Sequence, residues 1–354
     1  MNIARQRLYH QHIASATFQT PGQVVEWLGA VQAQDYLGAL WAVGLRMAQA
    51  TETDIEQALI DRTIVRTWPM RGTIHFVPAA DVRWMLELMT PRVMAATAGR
   101  LRQAGLDEVV FARSEKLLVK ALQGGRRLTR TELYQLLEAA HISTAHQRGL
   151  FILNRLAQSG VICFAARVGR QPAFALLAEW VPQAKSLPRD EALAKLSLRY
   201  FSSHGPATAP DFAWWTGLTI ADAKAGLDLV RTQLIQAEIA GQTYWSASSE
   251  TGANVKSPTA YLLPGFDEYL VGYRDRSAVL EAAHLEMTGS LQNWLNPAVV
   301  VDGQVVGTWK RTLKKDKIII AISPFTSLTK TQSRVVAAAA DRYGAFLGLP
   351  VELP

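Results

Sequence analysis

Residues 129–178 read TRTELYQLLEAAHISTAHQRGLFILNRLAQSGVICFAARVGRQPAFALLA, and the helix and turn signals within them decide the fold. Thr129-x-x-Glu132 is a capping box, in which hydroxyl and carboxylate satisfy the free amides at a helix start, so a helix is expected from there to Ala140. Thr144-x-x-Gln147 reads as a second cap. The helix after it carries Leu150, Leu153, Leu156 and Ala157 at helical spacing, leaving Arg148, Asn154, Arg155 and Gln158 for a polar face. Ser159-Gly160 ends that helix. Val161 to Ala166 and Pro172 to Ala178 then read as two strands around the basic turn Val168-Gly169-Arg170-Gln171. With a helical pattern over Ser114 to Gln123 and a turn at Gly124-Gly125, the order is three helices and a hairpin. That order is the winged helix-turn-helix plan, whose third helix enters a groove of duplex DNA.

The plan recurs on both sides. Upstream, Pro21 to about Val31 suggests a helix, Thr53-x-x-Glu56 caps another to Asp61, and Ile64 to Val77, broken by Pro69, supplies a hairpin. Downstream, helices fit Glu191 to Ser203, Pro210 to Trp215 and Thr219 to Arg231, before a hairpin from Leu234 to Trp245 that turns at Gly241. Beyond the Ser, Gly and Pro-containing stretch Ser246 to Pro258, Tyr261 to Tyr273, Ala298 to Trp309 and Lys317 to Ser323 resemble strands. Asp302-Gly303 marks a hairpin turn and Ser333 to Leu347 an Ala-rich closing helix. The expected fold is therefore α+β, with three tandem winged helix-turn-helix units plus a C-terminal small β-barrel or curled sheet. Its modules would span residues 1–90, 91–186, 187–250 and 258–354.

Composition bounds the partners. The 354 residues are 49% hydrophobic, enough for a large core, and 37 Lys and Arg against 30 Asp and Glu give a net charge of +7, which suits a polyanion. No apolar run reaches the ~18 residues that span a bilayer, and MNIARQRLYHQHIA lacks the apolar core of a secretory signal, so a cytoplasmic protein with no membrane partner is expected. A single cysteine, Cys163, excludes an internal disulfide and a Cys-rich zinc site; its apolar run suggests a buried, inert thiol. No acidic residue lies between Glu138 and Glu179, where Arg148, Arg155, Arg167 and Arg170 cover the proposed recognition helix and wing. Arg62, Arg66 and Arg71 take the corresponding place upstream, and Lys310, Arg311, Lys314, Lys315 and Lys317 cluster on the C-terminal hairpin. These charges are either a solvated face or a phosphate-binding surface, and their placement on winged-helix elements favours the second. Trp68, Trp214, Trp215 and Trp309 either stack on bases or fill the core, with core packing the default.

Few residues announce chemistry. His10 and His12 form the only close histidine pair, weak grounds for a metal, and neither a phosphate-cradling G-x-x-x-x-G-K-[ST] nor a G-x-S-x-G elbow is present. No metal and no nucleotide cofactor is expected. In Ala30-Val-Gln32-Ala-Gln34-Asp35-Tyr36 two amides stand two residues apart; in an extended or helix-ending segment they face one way and can hold a water, or they merely cover a helix end. Arg71-Gly-Thr-Ile-His75 and Pro264-Gly-Phe-Asp267-Glu268-Tyr269 also stand out, the last as an acid/base pair or a hydrogen-bonded turn.

Taken together, Gln32-Ala-Gln34-Asp35, Arg71-Gly-Thr-Ile-His75, His204-Gly-Pro-Ala, Asp211-Phe-Ala-Trp-Trp, Leu263-Pro-Gly-Phe-Asp-Glu-Tyr and Gly307-Thr-Trp resemble the bacterial winged-helix DNA glycosylases of the AlkZ/YcaQ type. The resemblance runs over nearly the entire chain. It implies a basic concave surface and monofunctional excision of alkylated purines, including interstrand crosslinks in some members. The family's catalytic motif is Gln-aliphatic-Gln in one branch and Gln-aliphatic-Asp in another, and this chain matches the first. By that match Gln32 and Gln34 position the attacking water, and Asp35, Arg71 and His75 are supporting. The implied partner is double-stranded DNA with alkylated bases, met by a monomer. Two other readings stand beside it: a non-catalytic DNA binder that recognises sequence or damage with the same surface, and a protein-interaction module, since winged helices also serve in assemblies.

Overall fold

The hydroxyl of Thr129 accepts the Glu132 N–H at 3.3 Å while the Thr129 N–H donates to the Glu132 carboxylate at 2.7 Å, closing the capping box of the helix Arg130–Ala139. The computed structural model of the chain describes residues 2–169, 171–247, 257–281, 283–284 and 296–354. Its contacts divide it into two compact units, one of Glu56–Leu193 with Thr216–Leu218, the other of Met1–Ile55, Ala194–Trp215 and Thr219–Pro354.

In the first of these, the helices Glu108–Leu122, Arg130–Ala139 and Arg148–Gln158 precede a hairpin of Ile162–Val168 and Gln171–Leu176. Leu128–Thr129 pairs with Phe174 and Ala173, which adds a short third strand to the wing. Leu118, Leu122, Leu133, Leu137, Leu153 and Leu156 form the core that these elements share. The opening helix begins earlier than Ser114 because Asp107 accepts the Val110 N–H at 2.9 Å and so caps it.

The third helix departs from expectation in two ways. Thr144 does not cap it: its N–H and its hydroxyl both donate to Glu138 Oε1 at 2.6 Å, and Gln147 precedes the helix in left-handed backbone. Leu150 is 40% exposed, while Ile152 takes its place in the core and Gln158 is buried with its carbonyl accepting the Thr90 hydroxyl. At 3.6 residues per turn the face between Leu153 and Leu156 lies roughly 70° from Ile152 and roughly 90° from Leu150, so the core selects the former.

The upstream hairpin, Ile64–Met70 with Thr73–Pro78, belongs to this same unit. Arg66 pairs with Phe164, so the strand order here is Thr73–Pro78, Ile64–Met70, Ile162–Val168, Gln171–Leu176, Leu128–Thr129. Pro69 does not break its strand. It falls where the register slips between Thr67 and Met70, a bulge in which proline's missing N–H costs no ladder bond. The cap of the preceding helix Glu52–Ile60 is Thr51 with Asp54, not Thr53 with Glu56.

The other unit repeats the plan with Arg189–Ser203, which enters it at Ala194, then Ala209–Thr216, Ile220–Val230 and the hairpin Ile235–Ile239 with Gln242–Ser246. Ala207 exchanges backbone bonds with Trp245 at 3.0 and 2.8 Å, as Leu128–Thr129 does with its own wing. Its C-terminal part is an open, curled five-stranded sheet in the order Val351–Glu352, Ile318–Pro324, Gln304–Leu313, Ala298–Val301, Ala260–Leu263. Asp302 and Gly303 turn the central hairpin with φ of 50° and 90°. The helix Lys330–Leu347 backs the sheet, with Tyr343 edge-on to both Trp41 and Trp309. Tyr261 to Tyr273 is not one strand: it stops at Leu263, and Asp267 caps a short helix, Glu268–Val271.

Trp68, Trp215 and Trp309 are core residues, whereas Trp214 is 41% exposed. Cys163 is fully buried, and burial pushes its thiol far above the ordinary range. Among the described residues no helix is long and apolar enough to cross a membrane.

Candidate active site

The helix Pro21–Leu28 stops at Gly29, whose φ is 81° and where a Cβ would come within 3.1 Å of Arg199 and 3.3 Å of Trp215. Only glycine fits both the backbone and the space. The chain then extends through Val31–Gln32 and passes Gln34 before Asp35, itself in extended backbone, starts the helix Tyr36–Gly44. Ala33 is fully buried and Gln32 is 7% exposed, while Gln34 is exposed. The two amides thus sit at an edge between core and solvent. Asp35 is half-buried, 3.7 Å from the Arg311 guanidinium, which also donates to the Tyr343 hydroxyl at 2.8 Å.

Beneath Gln32 lies a buried polar cluster. The Gln32 backbone N–H donates to Glu268 Oε1 at 2.9 Å, and Glu268 Oε2 accepts from Trp215 Nε1 at 2.8 Å and stands 3.5 Å from His204 Nε2. Glu268 and His204 are both fully buried. Burial holds the His204 imidazole below its ordinary pKa, opposed by Glu268 and reinforced by Arg46 and Arg7. Asp267, next in the chain, is gripped by Arg46 with contacts of 2.9 and 2.8 Å, and neither side chain is exposed. Arg46 also donates to Gln11, whose amide donates to Tyr273, whose hydroxyl donates to the His204 carbonyl at 2.7 Å. Asp267 is therefore spent on an ion pair and a helix cap. Of the two readings of Asp267-Glu268, the geometry is that of the hydrogen-bonded turn.

Arg71 and His75 lie in the unit of Glu56–Leu193. Arg71 and Gly72 form the turn of the first hairpin, both with positive φ, and Arg71 lies 3.4 Å from His75 Nε2, while His75 Nδ1 contacts the Thr73 carbonyl at 3.0 Å. Arg62 lies over Trp180 and Arg66 over Phe164, with guanidinium carbons 4.3 and 4.4 Å from the ring centres. Arg148 turns back onto the carbonyls of Ser143 and Ala104. Arg155 meets Glu108 at 3.2 Å, Arg167 meets Glu56 at 3.6 Å, and Asn154 is half-buried on the same helix as Arg155. Folding thus brings carboxylates to a stretch that has none in sequence. Arg170 lies outside the described residues. In the other unit, Lys310, Lys314 and Lys315 are exposed on the hairpin of Gln304–Leu313 and Ile318–Pro324, whose tip holds the last two.

His10 is committed to the Gly205 carbonyl at 2.7 Å, and His12 to Thr17 at 3.1 Å, so the H-x-H pair does not converge. Among the described residues no group of three or more His, Cys, Asp or Glu is placed to hold a metal ion. Reading the sequence missed Arg46 and the anchoring role of Glu268, and it quoted His204 and Trp215 only within motifs and as a core or stacking ring, without a place in this cluster. Their partners lie up to 236 positions away, so no local spacing could reveal them.

The family model described as AlkZ-like DNA glycosylase matches residues 25–346. An interstrand DNA cross-link repair glycosylase from Streptomyces sahachiroi is 26% identical over 370 residues, covering 98% of this chain and 97% of that protein. The solved structure of the Streptomyces sahachiroi DNA glycosylase AlkZ superposes with a TM-score of 0.81 at 24% identity, covering 100% of this chain and 98% of that one.

Proposed function

Because the chain belongs to the AlkZ-like DNA glycosylase family, it is a DNA repair hydrolase of N-glycosyl bonds, and we propose that its substrates are cationic, alkylated purines in duplex DNA. Alkylation at N7 of guanine or N3 of adenine places positive charge on the base, so the leaving group is activated before the protein acts. A strong general base is then unnecessary. Gln32 and Gln34 hold one water beside the anomeric carbon, and DNA phosphates with protein dipoles stabilise the oxocarbenium charge as the base departs. Asp35 supports the segment from the helix start, and Arg71 and His75 serve as supporting groups on the first wing. No lysine precedes Lys116, which suits simple hydrolysis over Schiff-base chemistry and strand cleavage. The name of the Streptomyces relative favours interstrand crosslinks as one substrate class.

The observation that carries this reading is the amide pair at the core-solvent edge, Gln34 exposed and Gln32 barely so, on a backbone held by a buried carboxylate. The cations of both winged-helix hairpins and of the Lys310–Lys315 strand and tip are proposed to meet phosphates, within the four modules set out above. The chain acts as a monomer without a nucleotide cofactor, in the cytoplasm where bacterial DNA lies. The test is single-turnover release of N7-alkylguanine from an oligonucleotide duplex. The native chain should leave abasic sites and an intact strand, and Gln32→Ala with Gln34→Ala should lower the rate by about 100-fold or more. Equal excision by both would remove the glutamines from the mechanism; tight binding with no base release by the native chain would favour a non-catalytic binder.

A further inference from the structure

We propose that Glu268 is the positioning residue of the Gln32-Ala-Gln34 segment, holding the Gln32 backbone from beneath so that its side-chain amide keeps one orientation. This rests on the glutamine reading above. One carboxylate oxygen takes the Gln32 N–H at 2.9 Å; the other takes Trp215 Nε1 at 2.8 Å. The backbone that carries Glu268 is held in place, because Asp267 beside it is clamped by Arg46 and itself accepts the Tyr269 N–H at 2.9 Å. The buried ion pair thus fixes the backbone that aims Glu268, and Glu268 fixes the backbone that aims Gln32. A buried carboxylate acceptor makes a stronger and more directional bond to an amide than a neutral one does.

Proton accounting at His204 extends the anchor. Ser203 Oγ has one hydrogen, and it lies 2.8 Å from the Arg199 carbonyl, which can only accept. The hydroxyl can instead give that hydrogen to His204 Nδ1, also 2.8 Å away, which puts the ring proton on Nε2 as a donor facing Glu268 3.5 Å off; turning the hydroxyl to Arg199 moves the ring proton to Nδ1 and leaves a lone pair on Nε2. This predicts a specific rescue. In Glu268→Gln, with the amide oxygen kept toward Gln32, the ring with its proton on Nδ1 can accept the new NH2 at Nε2, but that NH2 collides with the Trp215 donor. Adding Trp215→Phe removes that collision while keeping an aromatic ring.

The experiment measures single-turnover release of N7-alkylguanine, duplex affinity, and hydrogen exchange at the Gln32 amide. Glu268→Ala and Glu268→Gln should each lower the rate by about 100-fold, the loss a displacement near 1 Å produces, with affinity within about twofold. Glu268→Gln with Trp215→Phe should recover at least tenfold. In the Gln32→Ala background, which retains the backbone N–H but lacks the side-chain amide, Glu268→Gln should cost under threefold. Equal losses in both backgrounds, or affinity falling in step with rate, would overturn the positioning role. If the native chain releases no base, the glutamine mechanism fails separately. Exchange then decides for the anchor: Glu268→Gln should speed it at Gln32 by at least tenfold, and unchanged exchange there would reject the anchor.

Discussion

Arg46 carries a permanent charge with none of its side chain exposed, and both Asp267 oxygens are turned to it. Taking two such groups out of water is costly, and the pair persists because its geometry also satisfies the Ala42 carbonyl and Gln11. Removing one partner leaves an uncompensated buried charge. Asp267→Ala should therefore lower unfolding stability by about 3–5 kcal/mol in denaturant titration, and Arg46→Met with Asp267→Leu should be more stable than Asp267→Ala. A double variant no better than the single would show that the charge itself is not what the single change exposes. At this scale the sequence was only partly legible. Asp267-Glu268 stood out as an acidic pair, but whether it served as acid and base or as a turn depended on a cation 221 positions away.

Among the elements, the box of Thr129 with Glu132 formed where the sequence placed it, because donor and acceptor are three residues apart and need no help from elsewhere, and Thr219 with Asp222 closes another at the start of the helix expected from Thr219. Thr144 carried a similar local signal and did not cap, since the Glu138 carboxylate at the end of the preceding helix reached its hydroxyl and amide first. Thr129→Ala should lower stability by about 1 kcal/mol in denaturant titration, whereas Thr144→Ala should leave the start of the third helix intact by amide exchange. A faster exchange at Phe151, whose N–H bonds to the Gln147 carbonyl, in Thr144→Ala would contradict this. The face of the third helix was legible in part: Leu153, Leu156 and Ala157 were placed correctly, Ile152 took the core place given to Leu150, and Gln158, given to the polar face, is buried.

For the whole molecule, the surplus of seven positive charges is what the sequence reports, and folding decides which of them are at liberty to meet phosphate. Arg155 and Arg167 gain carboxylate neighbours and Arg148 turns onto backbone carbonyls, while Lys314 and Lys315 stand exposed at a hairpin tip. In duplex binding followed from low to moderate salt, Lys314→Ala with Lys315→Ala should reduce the slope of log affinity against log salt by about 2. Arg148→Ala with Arg155→Ala should change it by less than about 1. The reverse order would mean that those arginines leave their present partners on binding. The compact units also cut across chain order: the first hairpin shares a sheet with the second wing, joined through Arg66 and Phe164.

The repeated three-helix-and-hairpin plan, the turns at Ala240-Gly241 and Asp302-Gly303, and the pair of amides at 32 and 34 were determined by the sequence itself, since each depends on groups within a few residues of one another. The tertiary structure alone decided that a glutamate from position 268 lies under Gln32, that a histidine and a tryptophan hold it, and that Thr144 answers to Glu138. The physical reason is that a buried donor or acceptor must be satisfied by whatever partner the fold delivers. Which partner arrives is a property of the closed chain and not of its local order.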